Sequence, residues 1–170
     1  MIAVSPNGWL EANGSRYRCA LGRGGVQQEK TEGDGVTPVG CFALRHVLYR
    51  ADRMARPVTT LRCTPIRPND GWCEDPASPH YNRQVEIPLD AGHERLWRDD
   101  GLYDVIVVLG HNDDPPEPGR GSAIFLHVAR PDYGPTLGCV AVARDDLLRI
   151  LEACGPADSL EVRPPADGES

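Results

Sequence analysis

For most of the chain, apolar and polar residues alternate in short runs, and a single stretch repeats at helical spacing. Trp9-Leu10 lead to Asn13-Gly14 and then to Tyr17–Leu21. Asn-Gly supplies the positive φ angles of a tight two-residue turn, so this segment predicts a β-hairpin. Gly22–Gly35 reads as a glycine-studded, charged loop. Val39–Arg50 alternates loosely as a strand, with Cys41, Ala43 and Val47 on one side and Phe42, Leu44 and Leu48 on the other. Thr59–Ile66 and Gln84–Leu89 read as further short strands on either side of an irregular stretch, Arg67–Pro76.

Two apolar runs follow, Tyr103–Leu109 and Ala123–Val128. Both are rich in β-branched residues and too short for helices, which predicts central strands buried on both faces. Between them, prolines stiffen His111–Gly119 into a connector that has no place inside a sheet. The helix is expected from about Arg144 to Cys154. Leu147, Leu148, Leu151 and Cys154 share one face, Asp145 and Asp146 occupy the first turn, and Gly155 follows as a stop. Ser159–Val162 reads as a closing strand and 164–170 as a frayed polar tail. Many short strands with one good helix predict a mainly β fold.

At 170 residues the chain suits a single domain, 1–170, large enough to bury a core without a metal or disulfide staples. A net charge of -7 with no Lys/Arg-rich run argues against a nucleic-acid partner. No apolar stretch approaches the length of a membrane span. Met1–Pro6 has neither the basic region nor the apolar core of a signal peptide, which leaves a trimmed leader and another export route both open. The six cysteines form no CxxC pair and have no zinc-like histidine spacing, so a structural zinc site is not expected. Cys63 and Cys73 bracket a Pro-rich loop and are the best candidate disulfide, worth roughly 2–3 kcal/mol; two free buried thiols are the alternative. Asp113, Asp114 and Glu117 fit a solvated, proline-interrupted loop better than a hard-cation site.

The chemistry concentrates in one stretch. A buried strand, Ala123–Val128, carries His127, and beyond a short loop come Thr136-Leu137-Gly138-Cys139 and a second apolar strand start. A thiol is a nucleophile only as its thiolate, and a nearby imidazole supplies the base. Gly138 permits close approach of backbone to substrate. Amides around Cys139, including those of Leu137 and Gly138, are candidate oxyanion donors.

Thr37-Pro38-Val39-Gly40-Cys41-Phe42, the His127 strand and Thr136-Leu137-Gly138-Cys139 occur in that order. In this the chain resembles the YkuD-like L,D-transpeptidases, which carry Thr-Pro-x-Gly-x-Phe, then a strand histidine, then Ser/Thr-His-Gly-Cys. The similarity runs from about Gly22 to Val162, with the catalytic core expected at about 22–163. The resemblance implies a β-sandwich of mixed sheets with one main helix after the cysteine. It also implies a cofactor-free enzyme, periplasmic or secreted, acting on peptidoglycan muropeptides as donor and acceptor stems. Cys139 would attack a stem-peptide carbonyl at an L-centre to form a thioester, which an amine, usually that of diaminopimelate, resolves. His127 would move the protons, its ring oriented by the Val128 carbonyl. Carbapenem β-lactams are the expected inhibitors.

Leu137 stands where the family usually has histidine, and Ala141 where it has Asn or Arg. These departures are similar to a divergent proteobacterial subgroup associated with crosslinks from the first stem residue, L-Ala, to diaminopimelate. A 3,3-crosslinking enzyme, an L,D-endo- or carboxypeptidase on the same scaffold, and an inactive peptidoglycan-binding module are the rivals. Thr136, Arg130 and Tyr133, beside the cysteine, are candidate substrate contacts. So are His111, after a core strand, and Arg67 and Trp72 of a polar–aromatic patch that also includes Asn69 and Asp70. His46, His80 and His93 read as surface residues.

Overall fold

The computed structural model describes residues 1–168; the last two residues of the expected tail lie outside the described residues. Among the described residues, fourteen strands and one helix follow in chain order. They are β1 (Ile2–Ser5), β2 (Trp9–Ala12), β3 (Ser15–Ala20), β4 (Val26–Gln27), β5 (Thr37–Pro38), β6 (Gly40–Tyr49), β7 (Cys63–Pro65), β8 (Asp70–Cys73) and β9 (Gln84–Glu86). After them come β10 (His93–Arg95), β11 (Val105–Leu109), β12 (Phe125–Val128), β13 (Val140–Val142), α1 (Arg144–Glu152) and β14 (Ser159–Val162).

Nine strands join in the order β11-β12-β13-β3-β2-β1-β14-β6-β7, and β11 also pairs with β6. The sheet therefore folds over on itself through its two longer, shared strands. The start of β6 pairs with β14, and Leu44–Tyr49 pair with β11. Likewise Ser15–Arg18 of β3 pair with β2, and Cys19 and Ala20 with β13. Parallel pairs (β1–β14, β12–β13, β6–β7) mix with antiparallel ones. The result is the mainly β, mixed-sheet sandwich with one helix behind the cysteine that the sequence led us to expect.

Alternation divides the side chains between two cores. Leu126, Val105, Val107, Val140 and Val142 point to a large inner core with Ile2, Val4, Leu10, Leu160 and the helix residues Leu147, Ile150 and Leu151. Phe125, Ile106, Val108 and Cys139 point the other way, to a second cluster with Trp72, Leu96 and Tyr103. A small sheet, β10-β8-β9, covers that second face. The same alternation places Phe125 and His127 on the face away from Leu126.

Asn13 and Gly14 take φ of 52° and 76°, the tight hairpin turn that their residue types demand. Elsewhere the structure corrects the sequence reading. Val47 joins Phe42 and Leu44 in the inner core while Leu48 faces the outer cluster. The cause is a bulge at Arg45, where Val108 faces His46 but Leu109 faces Leu44, and one extra residue flips the alternation. The Arg67–Pro76 stretch is not irregular throughout, since Asp70–Cys73 form the middle strand of the small sheet. Ile150 is buried on the helix face, and Leu148 is only partly buried. The core does not begin near Gly22: β1, β2 and β3 lie inside the sheet, between β14 and β13. All six cysteines are free thiols. Cys63 lies on β7 with its Sγ against the Leu61 carbonyl (3.6 Å), while Cys73 is buried in β8 beside β9 and β10.

Candidate active site

Two distant sequence motifs meet at the cysteine. Thr37 is fully buried, and its Oγ1 accepts from the Gly22 amide (2.8 Å). Gly22 in turn bridges to Thr136. At Gly138, φ is +136°, and a Cβ there would stand 2.8 Å from the Val36 carbonyl oxygen. Only glycine fits this conformation and contact without strain. Thr136 closes the turn: its hydroxyl donates to the Cys139 carbonyl (2.7 Å) and accepts from the Gly138 amide (3.1 Å). The Thr37 segment thus buttresses the turn that presents the thiol.

Leu126 of β12 is opposite Val140 and His127 opposite Ala141, so Cys139 comes level with Phe125. The Phe125 amide donates to Cys139 Sγ (3.4 Å), and the thiol donates to the Ala123 carbonyl (3.1 Å). Ala123 holds φ of 54°, uncommon outside glycine. Asn82 fixes that segment. Its Oδ1 accepts from the Ala123 amide (3.0 Å) and the Trp72 indole N–H (2.9 Å), and its Nδ2 donates to the His111 and Asn112 carbonyls (3.0 and 2.7 Å).

His127 is 6% exposed and Cys139 7%. His127 Nδ1 lies 2.9 Å from the Val128 carbonyl oxygen. A carbonyl only accepts, so in the neutral ring Nδ1 carries the proton and Nε2 keeps its lone pair. Burial pushes the imidazole down to about 4, against the pull of the Val128 and Leu102 carbonyls. Burial likewise pushes the thiol up to about 12; Glu94 adds to this, and the Phe125 amide and Lys30 oppose it. Both groups are therefore neutral at rest. The imidazole and the thiol share the cleft without a preformed ion pair.

A cleft of about 770 Å³ opens over the pair. Arg23, Arg98, Arg130 and Lys30 line it together with Glu32, Glu74 and Glu94. Tyr103 stacks edge-on against His127 (ring centroids 5.1 Å apart) and donates its hydroxyl to Glu94. Burial pushes Glu94 up to about 7. Glu32 accepts from Tyr81 (2.7 Å) and Ser122 (2.5 Å). Lys30, 6% exposed, pairs with Asp34 at 2.6 Å. Burial opposes the charge on Asp34, but Lys30 and the amides of Thr31 and Val36 outweigh it and hold the carboxyl at about 2.

Of the residues singled out from sequence, Cys139, His127, Leu137, Thr136 and Arg130 line this cleft. Leu137 stands 75% exposed at its lip. The Gly138 amide is already committed to Thr136, and the Thr136 hydroxyl to the turn, so neither is free for substrate. The other candidates lie apart from the cleft. Tyr133 packs under the Arg18 guanidinium (4.4 Å to the ring centroid). His111 packs edge-on against Phe42, with Nε2 facing the Arg120 carbonyl. Trp72 is buried against Phe125 in the outer core. Arg67 is exposed and only its backbone engages Asp70. Trp72 and Arg67 looked like a surface patch because β8 was not recognised; alternation within a strand sends the tryptophan inward. Sequence reading missed Lys30, Glu32, Asn82, Glu94 and Tyr103. The one available signal was that Lys30, Glu32 and Asp34 directly precede the Thr37 motif.

A family model described as the YkuD L,D-transpeptidase catalytic domain matches residues 4–162. No curated protein and no solved structure matches the chain.

Proposed function

The chain belongs to the YkuD family of L,D-transpeptidase catalytic domains, and on that footing we propose that it joins peptidoglycan stem peptides by two-step acyl transfer through Cys139. The observation that carries this reading is the shared cleft. In it a thiol lies one strand away from an imidazole whose Nδ1 is committed to the Val128 carbonyl, leaving Nε2 as a base. At rest the thiol proton is held by the Ala123 carbonyl, so rotation about the Cys139 side chain turns it to His127. Sγ then bonds to the stem carbonyl carbon, the thiol proton passes to Nε2, and collapse of the tetrahedral intermediate expels an amine that takes that proton. The acceptor amine attacks the thioester by the same steps in reverse. With the Gly138 amide engaged, the Leu137 and Cys139 amides are the backbone donors for the oxyanion.

For the donor we favour the bond after L-Ala, with the acyl group passed to diaminopimelate in a 1,3-crosslink. The support is the loss of both usual polar groups, at Leu137 on the lip and Ala141 on the floor, together with a cleft that supplies several arginines for a leaving stem rich in carboxylates. Action on peptidoglycan implies a periplasmic or secreted protein, and carbapenems would acylate the same thiol.

Incubation of isolated muropeptides with wild type and Cys139→Ala, read by mass spectrometry, tests the reading. Crosslinked dimers made only by the wild type are expected, with fragmentation placing L-Ala as acyl donor. Trimmed monomers alone would mean hydrolysis, and identical products from both proteins would remove Cys139 from the mechanism.

A further inference from the structure

The reaction needs charge stabilisation that the turn itself no longer supplies in full. The Gly138 amide donates to Thr136, and Leu137 and Ala141 bring no polar side chain. A buried ammonium lies beside this gap. The stem of Lys30 runs past two glycines: a Cβ on Gly121 would stand 2.9 Å from its Cγ, and a Cβ on Gly138 would stand 3.4 Å from its Nζ. Its side chain is 6% exposed and lines the same cleft as Cys139 and His127. An ammonium has three N–H donors. Among the described residues, Asp34 Oδ1 is its one hydrogen-bonded acceptor, at 2.6 Å. Asp34 is fixed in turn by the amides of Thr31 and Val36 (2.8 and 2.9 Å), so the cation is anchored without being saturated. One of the three donors is thus engaged, which leaves two for a further acceptor.

Resting on Cys139 as the nucleophile, we propose that Lys30 is a further catalytic residue, whose free N–H groups bind the oxyanion and offset the charge of the Cys139 thiolate. As the S–C bond forms, the carbonyl π pair moves to oxygen and the thiol proton goes to His127. Lys30 keeps all its protons and donates hydrogen bonds only. On collapse the pair returns, the C–N bond breaks, and His127 protonates the leaving amine. Four titratable groups face the thiol: Lys30 from the loop after β4, Glu94 from β10, Tyr103 from the approach to β11, and His127 from β12. Of these, Lys30 is the cation.

The test pairs two substitutions with opposite expected signs. Iodoacetamide labelling of Cys139 at pH 8, resolved by peptide mass spectrometry, reads thiolate stability; muropeptide turnover reads the oxyanion. Lys30→Met should slow labelling about tenfold and lower kcat about a hundredfold, with KM little changed. Asp34→Asn removes the counter-charge and keeps one acceptor oxygen, enough for the amide of Thr31 or of Val36 but not both, and labelling should accelerate. Labelling and turnover within about twofold of wild type in Lys30→Met would overturn the proposal, as would both variants shifting labelling in the same direction. Should Lys30→Met not fold, the sign of the Asp34→Asn change decides alone. If Cys139→Ala retains turnover, the nucleophile assignment itself fails. If Cys139→Ala is inactive and Lys30→Met is not, only the role of Lys30 falls.

Discussion

Glu94 makes the stability of this protein depend on pH in a direction opposite to that of most carboxylates. Its carboxyl lies at the cleft wall on β10, accepts from the Tyr103 hydroxyl, and is pushed by burial from an ordinary 4.5 up to about 7. Tyr103 and Arg98 resist that rise, while Glu74 and Glu32 add to it. The folded state thus binds this proton more tightly than the unfolded chain does. The stability it contributes is complete below pH 4.5 and is lost as pH rises through about 7. At roughly 1.36 kcal/mol for each tenfold in proton affinity, the interval caps the effect at about 3 kcal/mol. Glu94→Gln retains an acceptor for Tyr103 and removes the charge. The variant should match wild type near pH 4 and exceed it by roughly 2–3 kcal/mol at pH 8. In a protein of this size that is a melting-temperature gain of about 4–12 °C. Urea denaturation of both proteins at intervals from pH 4 to 8, followed by circular dichroism, measures the difference directly, since titrating groups not coupled to Glu94 cancel. A difference that stays flat across that range, or a variant less stable at pH 8, would refute the reasoning.

Gly138→Ala forces a side chain into φ of +136° and against the Val36 carbonyl, and should cost about 2–4 kcal/mol, with turnover falling as the thiol is displaced. A melting temperature within about 2 °C of wild type would show that the turn relaxes freely. Asn82→Ala removes the partners of Trp72, Ala123, His111 and Asn112 together and should destabilise the fold by about 3–5 kcal/mol. Because Ala123 holds the thiol, activity should fall even where the variant is fully folded; denaturant titration alongside turnover assays separates the two effects.

The elements legible in the sequence were those whose signal is local. Asn13-Gly14 dictates its own turn, the runs around Val107 and Leu126 are apolar enough to be central strands, and Leu147 and Leu151 repeat at helical spacing. The strand Asp70–Cys73 carried no such signal, because its four residues lie among turn-forming ones and are held by β9 and β10 from later in the chain. The bulge at Arg45 was invisible for a related reason: register belongs to the strand pair, not to either strand alone. That Cys139 and His127 share one cleft was readable because the order of the motifs brings adjacent parallel strands together. Lys30, Glu94 and Tyr103 were not, since each reaches the cleft from a different segment and acquires its meaning only from what it faces.

That division bears on how the two departures from the family motif are to be understood. At Leu137 the side chain leaves the cleft for its lip, and at Ala141 a methyl sits on a fully buried floor, so neither replacement leaves an unpaired polar group behind. The electrostatic work is instead available from outside the motif, in Lys30 on one wall and the Glu94–Tyr103 pair on the other. Burial holds both Cys139 and His127 neutral, so in the proposed mechanism the thiolate is made only when substrate is present and a proton moves to His127. A nucleophile generated in that way depends on charge stabilisation developed in the transition state, and an ammonium held beside the turn by Asp34 is placed to provide it without reorganising. The loss of polar groups from the motif is then compatible with an active catalyst, because stabilisation has a second source in the loop that precedes Thr37.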